Sequence, residues 1–350
     1  MFASLVNPLL RLRTWLLVRL GLWRGRWRRG RVTVSGVSFH AGPFGVHSWR
    51  YGLYAPAGLR DDEAAPLLVV LHGCKQRALG FAYAAGFTKL ADRQRVRLLC
   101  PQQRRLANLF GCWNWFVPLA QRGDGELRVI IAMLDDVTSR VHVDVEAVAA
   151  IGISAGGALA ALLAFSLPDR FRAVAVVAAP PLLGAFNVQD PRDVMRRGLL
   201  LSPTLALGLR KRACAPLAVI HGAADNVVHP QCAEQLQAQA LESMRREDIG
   251  VARSEALPAV SGANAIDYRD GGTLRLRRIE VSGLGHEWSG GPGGHPYCTR
   301  GGTSLTALCA QFLRDTGVLD RRRDEAAPRN TGSTSAEAAT VSLRGPPSSD

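Results

Sequence analysis

Hydrophobic positions along the chain alternate between short apolar runs and longer stripes of helical period. RVTVSGVSF (31–39) and HSWRYGLYAP (47–56) place polar and apolar residues in strict alternation, as half-buried antiparallel strands do. PLLVVLHG (66–73) is instead a continuous apolar run ending in glycine, which predicts a central strand buried on both faces. Residues 78–93 read as a helix and Val96 to Cys100 as the next strand. Leu127, Ile130, Ile131, Leu134 and Val137 then repeat at helical spacing. Strand Ala147–Ile153 runs into helix Ala155–Phe165. A strand at Ala173–Ala178, a strand at Pro216–His221, a helix at 230–244, a strand at 274–281 and a helix at 304–314 follow. Strands alternating with helices predict an α/β domain over 33–319, its sheet mostly parallel and covered by helices on both faces.

Three segments depart from that rhythm. In residues 1–32, Leu5, Leu9, Leu12, Leu16 and Leu20 form one helical stripe, broken by Arg11, Arg13 and Arg19 and followed by Arg24, Arg26, Arg28, Arg29 and Arg31. No uncharged run approaches the ~18 residues of a membrane span, and the late charges are unlike a secretory leader. The segment reads as a basic amphipathic helix suited to an anionic or lipid-coated surface; leucines packed on the protein's own domain are the competing reading. Residues 180–212 are too long for an ordinary connection and carry an apolar stretch from Leu199 to Leu209, which predicts a small lid or cap insertion. Residues 320–350, rich in Ser, Thr, Ala, Pro and charge, predict a disordered tail.

Composition changes the picture only in part. The net charge of +14 comes almost wholly from arginine, since lysine occurs only at Lys75, Lys89 and Lys211. Basic and acidic residues alternate through the body of the chain, so no specific nucleic-acid partner is expected. The seven cysteines are irregularly spaced, with no CxxC pair and no Cys/His set of ligand spacing, so neither a metal nor another cofactor is expected. Their place in apolar stretches favours a reducing compartment, although a disulfide involving Cys74, Cys112 or Cys298 stays open.

The chemistry gathers at three places. Gly152-Ile153-Ser154-Ala155-Gly156 is a G-x-S-x-G sequence with an apolar strand running in and a small-residue helix running out, the context of a nucleophile elbow in an α/β-hydrolase fold. Such a serine needs a base, and the base an orienting carboxylate, in the chain order Ser, acid, His. Asp225 lies just beyond the strand of PLAVIHGAAD, and His286 lies in the glycine-rich loop after the strand at 274–281. Asp193, Asp267 and Asp270 compete for the acid without following a buried strand so directly. His221 and His229 read as structural, and His72 as a residue that shapes its loop. Ester attack also needs two N–H donors for the oxyanion. Ala155 supplies one, and the loop His72-Gly73-Cys74-Lys75-Gln76 the other, at Cys74 or its neighbour.

LHGCKQ, GCWNWF (111–116), GISAGGALAA, HGAADNVVHP and GLGHEWSGG, taken in order over roughly residues 35–315, resemble the polyhydroxybutyrate depolymerase family of esterases, which neighbours feruloyl and acetylxylan esterases. The resemblance implies Ser154, Asp225 and His286 as a catalytic triad working through an acyl-enzyme, and Cys74 and Ala155 as oxyanion donors. It also implies Trp113, Asn114, Trp115 and Trp288 near the substrate, although a Trp pair flanking an Asn is ordinarily core packing. Pro180-Pro181-Leu182-Leu183 stands where the family has a serine-glycine turn. With no separate substrate-binding domain or clear leader visible, the resemblance points to a depolymerase of the intracellular type, cytoplasmic and granule-associated, acting on polyester. The alternatives are a short-acyl or feruloyl esterase, a secreted or periplasmic location, and an inactive hydrolase-fold scaffold that binds granules or membranes.

Overall fold

The computed structural model describes residues 25–37, 46–104, 107–184, 187–208, 210, 212–256, 258 and 260–320. The leucine stripe of 1–24 and the tail from 321 onward therefore lie outside the described residues.

The chain enters the sheet through an antiparallel pair, β1 (Arg26–Ser35) and β2 (Val46–Ala55). β3 (Ala65–Leu71), helices α1 (Ala78–Ala84) and α2 (Phe87–Gln94), and β4 (Arg97–Gln102) follow. The short turn α3 (Pro118–Gln121) and α4 (Glu126–Thr138) lead to β5 (Val143–Ile153), α5 (Ala155–Ser166) and β6 (Ala173–Val177). Next come α6 (Pro191–Arg197), β7 (Leu217–Gly222) and α7 (Gln231–Arg245). β8 (Ala252–Ala256), β9 (Ala263–Asp270), β10 (Thr273–Val281) and α8 (Leu305–Asp315) close the described chain. One sheet holds all these strands in the order β1-β2-β4-β3-β5-β6-β7-β10-β9-β8. From β4 to β10 neighbours run parallel, and the outer strands at both edges are antiparallel.

The apolar runs sort onto two faces by parity. Leu67, Val69 and Leu71 join α4, α5 and α7 in one core, while Leu68 and Val70 join α1, α2 and α8 in the other. Burial on both faces is why these strands read as unbroken apolar runs. The fold is thus the expected mostly parallel α/β sheet with helices on both faces.

Several boundaries differ. β1 starts at Arg26 rather than near residue 32, so Arg26, Arg28, Arg29 and Arg31 belong to the first strand and not to an amphipathic segment ending at 32. Arg26 and Arg28 share one face of the strand and Arg29 and Arg31 the other, while Trp27 and Val32 supply apolar contacts to Tyr54 and the core. The helix expected at 78–93 breaks at Gly86, whose φ of 88° turns the chain between α1 and α2. Strands β8 and β9 had no expectation, because β8 is almost wholly exposed and lacks an apolar face.

The 180–212 segment is anchored over its described part. The Gln239 side chain accepts from Leu182 N (2.9 Å) and donates to Leu182 O and Pro203 O (2.8 and 2.9 Å). Gln235 likewise clasps the backbone of Leu199 (2.7 and 3.0 Å). The apolar stretch after Leu199 divides: Leu199 and Leu207 are buried, whereas Leu200, Leu201 and Leu205 are exposed.

Candidate active site

β5 ends in the middle of the sheet, and Ser154 sits on the turn from it into α5. Its φ of 56° and ψ of −124° lie outside the regions open to an unstrained L-residue. The glycines around it explain how the turn closes. A Cβ on Gly152 would lie 2.2 Å from Gly156 O, and one on Gly156 2.3 Å from Leu71 O. Strand and helix approach through those two gaps, and Ser154 N donates to Val177 O (2.9 Å), fixing the turn to β6.

Asp225 lies in the loop after β7 with its side chain fully buried. Its Oδ1 accepts from the N–H of Val227 and of Val228, both at 2.9 Å, and its Oδ2 accepts from His286 Nδ1 at 2.8 Å. Burial pushes its pKa up, but the His286 bond and charge and the two backbone donors outweigh that and hold the carboxyl below its ordinary value. With Nδ1 donating, His286 Nε2 is the acceptor, 3.0 Å from Ser154 Oγ. The loops carrying acid and base are pinned together: Ala224 N donates to Leu284 O (3.0 Å) and Ala223 N to Val281 O (2.9 Å). A Cβ on Gly222 would lie 2.2 Å from Leu284 O, so that approach requires glycine.

Beneath this relay, His221 donates from Nε2 to Val228 O (2.8 Å), and its ring is 3.5 Å from Asp225 Oδ2. Burial brings its pKa down to about 4, so it is neutral at pH 7 and steadies the acid loop without competing for the proton. Of the competing acids, Asp267 is taken up by Arg277 (2.6 and 2.8 Å), Asp193 pairs with Arg197 (3.3 Å) and Asp270 with Arg275 (3.1 Å).

The loop after β3 runs past the serine: a Cβ on Gly73 would lie 3.3 Å from Ser154 Cβ. The loop is braced throughout. Buried His72 donates from Nδ1 to Gly73 O (2.8 Å) and accepts at Nε2 from Gln103 N (3.1 Å). Burial lowers its pKa to about 4, which keeps that tautomer neutral. Gln76 accepts from Gly73 N (2.7 Å) and donates to Pro296 O (2.6 Å). A disulfide joins Cys74 to Cys112. Neither the Cys74 nor the Ala155 N–H has a hydrogen-bond partner among the described residues, which leaves both free for an oxygen bearing negative charge.

Of the four residues expected at the substrate, the three tryptophans are buried and Asn114 is half-buried. Trp113 is fully buried and donates from Nε1 to His72 O (3.1 Å), supporting the loop from behind. Trp115 is buried in the same core. Trp288 is fully buried against Phe81 and Phe87 and donates to Thr306 Oγ1 (3.0 Å). Asn114 spends both ends of its amide on Asn108 (2.9 Å) and Glu126 (2.8 Å). Flat aromatic area and a local hydrogen-bond network outweigh proximity in sequence to Cys112 or His286. Two residues were missed. Glu126, buried and raised in pKa by burial, accepts from Asn114 N (2.7 Å) and from Gln103, tying loop 102–115 together. Tyr297, partly exposed, sets its ring edge-on 5.9 Å from that of His286. The φ of 55° at Tyr297 left no mark in the sequence.

Residues 49–256 match the family described as "Esterase PHB depolymerase". A poly(3-hydroxyalkanoate) depolymerase C of Paucimonas lemoignei is 31% identical over 185 residues, 51% of this chain and 44% of that protein. A feruloyl esterase B of Neurospora crassa is 28% identical over 195 residues, 51% of this chain and 65% of that one. The matched stretch thus spans less than two thirds of either relative. An acetyl xylan esterase from Aspergillus awamori superposes with a TM-score of 0.57 at 16% identity, covering 74% of this chain and 94% of that one, a likeness of fold.

Proposed function

Since the chain belongs to the PHB depolymerase esterase family, we propose that it is a serine-dependent carboxylic-ester hydrolase. What carries the reading is the relay from Ser154 Oγ to His286 Nε2 (3.0 Å) and from His286 Nδ1 to Asp225 (2.8 Å). Ser154 Oγ attacks the ester carbonyl while its proton passes to His286 Nε2. The carbonyl oxygen takes the negative charge and is met by the N–H groups of Cys74 and Ala155. As the tetrahedral centre collapses, the C–O bond to the alcohol breaks and His286 returns the proton to the departing oxygen. Water repeats the sequence on the acyl-enzyme and releases the acid. Asp225 holds the imidazole in the required tautomer throughout. An inactive scaffold would have no reason to keep this arrangement assembled.

For the substrate we infer a polyester of hydroxyalkanoate type, in line with the names of two relatives; the feruloyl esterases among the relatives keep a smaller ester as the second reading. The disulfide between Cys74 and Cys112 favours a secreted or periplasmic location over the cytoplasmic one. We infer that attachment to a granule or anionic surface, expected of residues 1–32, falls to the part of that segment that precedes β1. The deciding experiment offers amorphous poly-3-hydroxybutyrate and a soluble p-nitrophenyl ester to the full chain and to Ser154→Ala. Release of 3-hydroxybutyrate oligomers is expected, with turnover of both substrates falling by on the order of a million-fold in the variant. Hydrolysis of the soluble ester alone would replace the polyester by a small ester. Undiminished activity in folded Ser154→Ala would remove the serine mechanism.

A further inference from the structure

β1 sorts its arginines by face. Arg26 and Arg28 point to the side where Asp61 accepts them, at 3.7 and 2.7 Å. Arg29 and Arg31 alternate to the opposite side, and Arg31 stands directly across from Arg50 on β2. Like charges opposite one another on a strand pair repel and destabilise it. Elsewhere arginines are commonly matched, as with Arg277 to Asp267 or Arg212 to Asp169. Among the described residues no carboxylate lies within ion-pair distance of Arg29, Arg31, Arg50 or Arg77.

Three of these, Arg29, Arg50 and Arg77, line one groove of about 470 Å³, joined by His295. The remaining wall is mainly apolar, with Ala78, Leu79, Cys100 and Pro296 among its residues and no acidic side chain. Its size falls within the range of small-molecule sites. Glycine keeps it open beside the sheet: a Cβ on Gly52 would lie 2.4 Å from the Leu79 side chain, and one on Gly80 2.7 Å from the His295 ring. None of Ser154, Asp225 and His286 lines it. Unmatched positive charge at the rim and apolar surface within are complementary to a molecule with one charged end and one greasy end. We propose that the groove between β1, β2 and α1 binds a free amphiphile carrying an anionic headgroup, carboxylate or phosphate, on a short alkyl chain. The headgroup takes bidentate hydrogen bonds from the arginines, and the chain lies along Leu79 and Pro296. Arg77 follows Gln76 directly, and its N–H donates to His295 Nε2 (2.9 Å), so an occupant touches the same backbone that braces the loop beside Ser154.

The test needs no ester hydrolysis and so stands apart from the catalytic reading. Octyl phosphate and sodium octanoate are titrated calorimetrically into the full chain, with octyl glucoside and inorganic phosphate as neutral and tail-free controls. Saturable binding of both octyl anions, tighter than inorganic phosphate and absent for the glucoside, is expected. Arg50→Gln and Arg77→Gln should each weaken it about tenfold, the loss of one charge-assisted pair. Arg50→Gln should leave the thermal midpoint at or above that of the parent, because it relieves the repulsion with Arg31, so weaker binding cannot be put down to misfolding. Binding that ignores both substitutions, equal affinity for octyl glucoside, or association with anionic vesicles without any binding of the soluble anions would each overturn the proposal.

Discussion

At Ser154 a polar side chain is raised out of a strained turn, which can close because the residues two positions to either side, Gly152 and Gly156, have no side chains to collide. Gly156 meets a different element, since backbone oxygens of Leu71 and His72 lie 2.3 and 2.5 Å from where its Cβ would be. Backbone at both sides cannot rotate away as a side chain could. Gly156→Ala should therefore push α5 from β3, lowering unfolding free energy by about 1–3 kcal/mol as overpacking does, and moving Ser154 off His286. Gly250→Ala, at a position with no atom within 4 Å and no positive φ, should change stability by less than about 0.5 kcal/mol. Urea unfolding of both variants, with ester turnover read alongside, checks the contrast; equal behaviour would show that the close approach does not constrain the elbow. The residues around the site make the complementary point: Trp113, Trp288 and Asn114 direct their polar atoms to His72 O, Thr306 and Glu126 and so brace the neighbouring backbone.

Among the elements, β1 is the one whose role inverts between sequence and structure. Arginine at 26, 28, 29 and 31 looks like a solvated basic run, yet the strand pairs with β2 from Arg26 to Ser35. Gly30 lies under the Tyr51 ring, and Trp27 packs 5.0 Å from Tyr54. Two truncations separate the segment from the strand. Removing residues 1–24 should leave the unfolding midpoint unchanged while abolishing salt-sensitive association with granules or anionic vesicles. Removing residues 1–32 should cost about 2–4 kcal/mol as well, since it strips most of β1 from the sheet and uncovers Tyr51 and Tyr54. Differential scanning calorimetry and co-sedimentation read the two effects. Equal stability loss in both truncations would mean that the leucine stripe docks on the domain. α7 shows a quieter dependence, with Gln235 and Gln239 holding the inserted segment by its backbone.

For the molecule as a whole, the same buried histidines that shape the site tie its stability to pH. His72 and His221 have pKa values near 4 in the folded protein, against 6.5 in an open chain, in both cases because burial penalises the charged ring. Between those values the unfolded chain binds more protons than the native one, so acid favours unfolding. The stabilisation is complete above pH 6.5 and drains away as pH falls towards 4. At pH 5 each histidine accounts for about 2 kcal/mol, from roughly 1.4 kcal/mol per unit. Glu126, raised by burial, works in the opposite sense and trims the fall. Asp225 and Asp267 are held low and add their own loss only in stronger acid. Urea unfolding at pH 7.5 and 5.0 should show a net fall of on the order of 2–4 kcal/mol, much reduced in His72→Gln. A stability curve flat across that interval would contradict the neutral, buried state of the two rings.

Sequence alone determined what depends on local period and on order along the chain. The central strands were legible because burial on both faces demands unbroken apolar runs, and the elbow because a strand, a G-x-S-x-G turn and a small-residue helix must be contiguous. Ser154, Asp225 and His286 were legible because each follows a strand whose end faces the same edge of a parallel sheet. The alternation over 31–39 marked the second half of β1. Tertiary structure alone extended that strand back to Arg26 and made β8 the opposite edge, since both present faces to solvent or to one neighbour. It alone paired Cys74 with Cys112, 38 residues apart, and buried Trp113 and Trp288 behind the loops they steady. It alone separated the arginines of β1 into a matched face and an unmatched one. For Cys74, Arg28 and Trp113 the partner lies 38, 33 and 41 residues away along the chain, and only the packed fold brings its sulfur, charge or carbonyl within range.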